Sequence, residues 1–106
     1  MTQTAYKRMQ NSYLAQQIHL ASPEKLIWMM YDLGWKSCRG KDRGKASKVL
    51  VELIAALNFD HKEMAVSFFE LYRYALDRVH SGKFEEAGAV FQSLRDAWET
   101  AFKIKN

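Results

Sequence analysis

A chain of 106 residues with only one proline and five glycines has few places to break. Those two residues punctuate turn-rich β folds, so their scarcity favours long helices. The strict apolar–polar alternation of a half-buried strand is hard to find anywhere in the sequence. The length argues for one domain, large enough to bury a core without disulfide or metal staples.

The proline marks the clearest helix start. In Ser22-Pro23-Glu24, the serine can accept from orphan backbone amides, the proline suits the first helical position, and the glutamate favours the positive end of the helix dipole. Position 25 is lysine, so the reciprocal acid of a capping box is missing. A first helix is predicted over about 23–39, with Gly40 and Gly44 flanking its end. A second, capped by Asp42, spans about 43–58, with Ala46, Val49, Leu50, Leu53 and Leu57 on one face. Asp60, with Glu63 three residues on, is the cap candidate for a third helix over 61–80. Its stripe is Ala65, Phe68, Phe69, Tyr72, Leu76 and Val79, and Ser81-Gly82 ends it. A fourth helix over 84–103 carries Ala87, Phe91, Leu94, Trp98 and Ala101, broadened by Val90 and Ala97.

Short connections make consecutive helices antiparallel. The expected fold is therefore all-α: an antiparallel up-down-up-down four-helix bundle over 22–106. Residues 1–21 hold only scattered apolar residues (Tyr6, Met9, Tyr13, Leu14, Ile18, Leu20) and are expected to form an N-terminal arm or cap.

Little in the sequence points to chemistry. His19, His61 and His80 lie far apart, no Glu-x-x-His pair occurs, and the ligand count for a metal fails. No Ser/His/Asp grouping can be assigned, and "GKDRGK" lacks the spacing and preceding strand of a phosphate loop. The expectation is no catalysis, no metal and no cofactor. Cys38 has basic neighbours, Lys36 and Arg39, that lower a thiol pKa, although a small buried thiol is the plainer reading. A lone cysteine fits a reducing compartment. No apolar stretch follows Lys7 and Arg8, and the run Leu26 to Tyr31 is too short to span a bilayer, so a cytoplasmic protein without membrane insertion is expected.

The net charge is +4, and its excess sits in residues 36–48, with six basic residues against Asp42. That segment is either a solvated inter-helix turn, the plainer reading, or the phosphate patch of a nucleic-acid-binding helical module. The apolar residues raise a sharper question. Leu26, Met30 and Leu33 share one face of the first helix, Trp28 and Trp35 another, with Ile27 and Tyr31 between them. Phe69, Leu71, Tyr72 and Tyr74 cannot all face one seam of the third. A helix apolar nearly all round is central or covered. The cover is a partner, the arm, or a second copy in a homodimer.

Four segments bear on that choice. "YLAQQIHLASPEKLIWMMYD" resembles the start of the flagellin-specific export chaperones, the FliS family, through Tyr13, Ile18, Ala21-Ser22-Pro23, Leu26 and Tyr31-Asp32. "ELIAALNF" resembles the end of that family's second helix, "LYRYALDRV" (71–79) its Leu-Tyr-x-Tyr-x-x-x-Arg-Leu helix, and "LRDAWETAF" (94–102) its closing Leu-Arg-x-Ala-Trp segment. The matches fall in the family's order over nearly the whole chain. Leu20 departs from the family's usual threonine, and Leu33 stands before Gly34 where the family has glycine directly after Tyr-Asp.

The resemblance implies a chaperone that holds the disordered C-terminal segment of flagellin, prevents premature polymerisation and delivers it to the flagellar type III export gate. By position, Tyr13 and Ile18 then form a movable cap on the client groove. Apolar excess nominates the groove itself: Leu26, Ile27, Met30 and Tyr31 from the first helix, Leu53 and Leu57 from the second, and Phe69, Tyr72 and Tyr74 from the third.

Overall fold

The computed structural model describes residues 22–104, so the expected arm over 1–21, with Tyr13 and Ile18, lies outside the described residues. Four helices follow in order: α1 (Pro23–Arg39), α2 (Arg43–Ala55), α3 (Lys62–His80) and α4 (Phe84–Phe102). Among the described residues there is no strand, and no helix is long and apolar enough to cross a membrane. The helices form a bundle in which α1 packs on α2 and α4, and α3 closes the ring against the same two.

Local signals set most of the ends. Ser22 Oγ accepts from the Lys25 amide at 3.2 Å ahead of Pro23, and the Asp42 side chain accepts from the Lys45 amide at 3.1 Å. Between α2 and α3 the structure departs from expectation. α2 stops at Ala55, not Asn58, and its last turn tightens, with the Leu57 amide reaching the Ile54 carbonyl at 3.2 Å. The Asn58 side chain accepts from the Asp60 amide at 3.0 Å, a local bond that competes with helix continuation. Asp60 is therefore not the cap of α3. His61 occupies that position without a side-chain cap bond.

α1 and α3 close in the same way. After α3, Gly82 sits in the left-handed region at φ 75°, and the Lys83 amide reaches back to the Arg78 carbonyl at 2.8 Å. After α1, the Asp42 amide bonds the Ser37 carbonyl at 2.8 Å, but the left-handed residue is Lys41, at φ 54°. Gly40 stands one position too early to relieve it.

The apolar excess of α1 is largely buried. Leu26, Trp28, Met29, Met30, Tyr31, Gly34, Ser37 and Cys38 are all buried, so this helix is enclosed by its two neighbours over most of its circumference. Across the core stand Phe91 from α4, Val49, Leu50 and Leu53 from α2, and Val79 from α3, each essentially without exposure. Burying a large aliphatic or aromatic side chain contributes about 1.5–3 kcal/mol, so this set supplies the main driving force. α4 is narrower than its sequence stripe, since Ala97 and Ala101 are exposed.

The α1–α4 seam is the closest. A Cβ added at Gly34 would clash with the edge of the Phe91 ring, and one at Gly88 would lie 3.4 Å from Cys38 Cβ. Polar bonds flank it. Arg95 donates to Asp32 Oδ1 at 2.9 Å, and Lys36 pairs with Oδ2 at 2.9 Å. Trp28 Nε1 donates to Glu99 at 2.8 Å, and Trp98 Nε1 donates to the Glu24 carbonyl at 3.0 Å.

Two substitutions test these readings by urea unfolding. Gly34→Ala should destabilise the fold by about 1–3 kcal/mol through overpacking against Phe91, and Phe91→Leu in the same chain should recover part of the loss. Lys41→Gly should raise stability by about 1 kcal/mol, because it relieves a left-handed residue that carries a Cβ.

Candidate apolar binding groove

One end of the bundle is not filled. The first half of α1, the end of α2, the start of α3 and the end of α4 surround a groove of about 200 Å³. Its lining is Ile27, Tyr31, Leu53, Ala56, Leu57, Met64, Ala65, Phe68, Tyr72 and Trp98, with the exposed Asn58 and His61 as its polar members. The groove follows from the early stop of α2. The chain from Ala56 to His61 turns across the bundle end, and half-buried Leu57 lines the opening without completing another helical turn.

The floor is an aromatic network. The Tyr31 and Tyr72 hydroxyls lie 2.8 Å apart, with their ring centroids at 6.4 Å. Trp98 meets Tyr31 edge-on at 5.6 Å and Phe68 edge-on at 6.2 Å, and Phe68 and Tyr72 are 5.8 Å apart. Each such pair adds roughly 0.5–1.5 kcal/mol beyond its buried area and fixes ring orientation, so the floor is stiff. The lip is softer. Met64 is 64% exposed, and beyond the lining Phe102 packs tilted against Trp98 at 5.0 Å while 47% exposed. An unbranched thioether adapts to irregular apolar surfaces. The groove has the chemistry to bury apolar side chains, with the exposed His61 imidazole at its edge. It is much smaller than a helix about 10–12 Å across, so a partner would insert side chains while its backbone stays outside.

Of the residues nominated by apolar excess, Ile27, Tyr31, Leu53, Leu57 and Tyr72 come together here. Leu26 and Met30 do not. They pack in the core away from it, and Tyr31, Leu53 and Tyr72 are as deeply buried, at 0%, 1% and 3% exposure, so these three form the wall beneath the groove while Ile27 and Leu57 are its more accessible members. Phe69 is half-buried away from the groove, and Tyr74 is exposed, with its hydroxyl 3.4 Å from Glu86 and its ring 5.6 Å from the Arg78 guanidinium. Phe68 and Trp98 look like core stripe in the sequence and Met64 carries no signal by itself, yet all three line the groove. The spacing of four residues between Met64 and Phe68, and between Trp98 and Phe102, is the one clue that a stripe runs on past the core.

The other nominated chemistry fares differently. Cys38 is buried at the α1–α4 seam, and burial pushes its thiol up to about 11 from an ordinary 9.0. The basic neighbours Lys36 and Arg39 do not produce a reactive thiolate, because Lys36 is turned to Asp32 and Arg39 lies over the Trp35 ring at 5.1 Å. Among the described residues no three His, Cys, Asp or Glu side chains gather where they could hold a metal ion.

The thiol has a measurable consequence. The folded state holds the Cys38 proton to higher pH than the unfolded chain, so this group leaves stability unchanged below about pH 9 and lowers it as pH rises toward about 11. The loss should reach about 2 kcal/mol. Urea unfolding across that range should show a stability loss in the parent that exceeds the loss in Cys38→Ala by about this amount, since the lysines and tyrosines that also titrate there are common to both.

Compared with protein-family models, curated protein sequences and solved structures, the chain matches none of them.

Proposed function

We propose that this protein is a cytoplasmic, non-enzymatic export chaperone of the FliS kind. It holds the disordered C-terminal segment of flagellin, prevents premature polymerisation and presents the segment to the flagellar type III export gate. One observation carries the reading. Residues from three separate motifs of the sequence resemblance form a single contact cluster. Tyr31 and Asp32 of α1 meet Tyr72 of α3 and Arg95 and Trp98 of α4, through the tyrosine hydroxyl pair, the Tyr31–Trp98 ring contact and the Asp32–Arg95 bridge.

The bundle runs up-down-up-down in this reading. The connections at 40–42 and 81–83 are too short for anything but antiparallel neighbours. That order also brings the start of α1, the end of α2, the start of α3 and the end of α4 to one end, where the groove opens. A disordered client lays apolar side chains of a nascent helix or extended segment into the groove. Ordering the client on binding lowers the affinity per unit of buried area, which permits release at the export gate. An aromatic groove lined by no Lys, Arg, Asp or Glu predicts binding that is little affected by salt, unlike phosphate recognition.

Calorimetric titration tests this. Full-length flagellin should bind at low and high salt alike, and flagellin lacking its C-terminal segment should not bind. Met64→Glu, at an exposed lip position, should weaken binding at least about tenfold while leaving the unfolding midpoint unchanged. Equal heats with and without the C-terminal segment would sink the proposal.

A further inference from the structure

The basic run at 36–48 takes no part in the groove. It lies toward the other end of α1, where the α1–α2 and α3–α4 turns meet. The Arg43 guanidinium lies against Gly82, whose missing Cβ would sit 3.4 Å from Nη2. Lys41 lines two clefts of about 360 Å³ each. One runs along the α1–α4 seam between Trp35 and Phe84. The other contains Gly82 and Lys83.

We propose that this end of the bundle docks an acidic peptide segment of a second protein. Carboxylates of the segment meet Lys41, Arg43 and Lys83, and an aromatic or branched apolar residue enters the α1–α4 cleft beside Trp35 and Phe84. This site is separate from the apolar groove and does not depend on the chaperone reading.

Charge carries the first half of the argument. Among the described residues Lys41, Arg43 and Lys83 make no ion pair, whereas Lys36 is paired with Asp32 and Lys45 lies 4.0 Å from Asp42. Of the acids nearby, Glu86 is taken by Arg78 at 3.4 Å. Three exposed cations converging from two turns create a local positive potential that a partner of opposite charge would neutralise.

Shape carries the second half. Gly88 and Ala89 line the seam cleft with almost no side-chain bulk, although glycine inside a helix weakens it. Half-buried Trp35 and Phe84 supply apolar surface within reach of the cations. Aromatic walls under a charged rim are the anatomy of a protein interface. Glu85 lines both clefts and would repel a continuous phosphate backbone, so a peptide with spaced carboxylates fits better than a nucleic acid.

The test uses two variants that remove charge without harming the fold. Lys41→Gly relieves a left-handed residue, and Lys83→Ser places a capping hydroxyl at the N-cap of α4, which has no side-chain cap bond. The probe is a fluorescein-labelled peptide of aspartates interrupted by one phenylalanine and one leucine, followed by anisotropy in low salt. The peptide should bind, and its asparagine counterpart and its serine-for-Phe/Leu counterpart should each bind about tenfold more weakly. The K41G/K83S protein should also bind it about tenfold more weakly, with an unfolding midpoint no lower than the parent and an unchanged titration with flagellin. An aspartate peptide that binds no better than its asparagine form, or equally well to the K41G/K83S protein, would overturn the proposal. So would an oligothymidylate of equal charge that binds as tightly as the peptide, which would indicate a general phosphate surface.

Discussion

The structure depends on what surrounds Tyr31. Its side chain has no measurable exposure, its hydroxyl meets that of Tyr72, and its ring takes the edge of Trp98. This residue thereby ties α1 to α3 and α4 at one level of the bundle. A buried hydroxyl must be hydrogen-bonded or it penalises the fold, so the polar tips of the two tyrosines specify the pairing more sharply than apolar contact alone. One position later, Asp32 fixes the same helix to Arg95 from the flank. The node also underlies the groove, whose lining includes Tyr31, Tyr72 and Trp98. The same contacts that hold the helices together fix the shape of the groove above them.

The two ends of α1 do different physical work. Toward its start the neighbouring surfaces are aromatic and aliphatic and leave an apolar groove, where attraction by side-chain burial would be non-directional. Toward its end the α1–α4 seam closes through Gly34 against Phe91 and Gly88 beside Cys38, and the connecting turns present cations. A bundle whose seam is tight in the middle can carry unlike surfaces at its ends, because packing at one end does not constrain the side chains at the other.

Helix starts signalled by short-range bonds were legible in the sequence. Ser22 and Asp42 act as caps because a cap is decided within three residues. The α2–α3 connection was not legible. Asp60 and Glu63 have the pattern of a start, but Asn58 captures the Asp60 amide first, and nothing local ranks those two bonds. Glycine positions also misled in one place, since the left-handed residue after α1 is Lys41 and not Gly40. The groove was half legible. Periodicity identifies an apolar face but not where along the helix that face stops being covered. Leu26 and Met30 thus look like Ile27 and Tyr31 in the sequence, while Phe68 and Trp98 look like ordinary core. Only the placement of a helix end against its neighbours divides core from groove.

The central claim is that the aromatic groove is where the client's apolar side chains go. Methyl-labelled methionine NMR tests it most directly, because Met64 is 64% exposed on the lip while Met30 is 1% exposed in the core. On saturation with the flagellin C-terminal segment, the Met64 methyl resonance should shift strongly under the ring currents of Phe68 and Trp98 and lose its contact with a soluble paramagnetic probe. Met30 should move little. A Met64 methyl that keeps its shift and its exposure to the probe in the saturated complex would contradict the account.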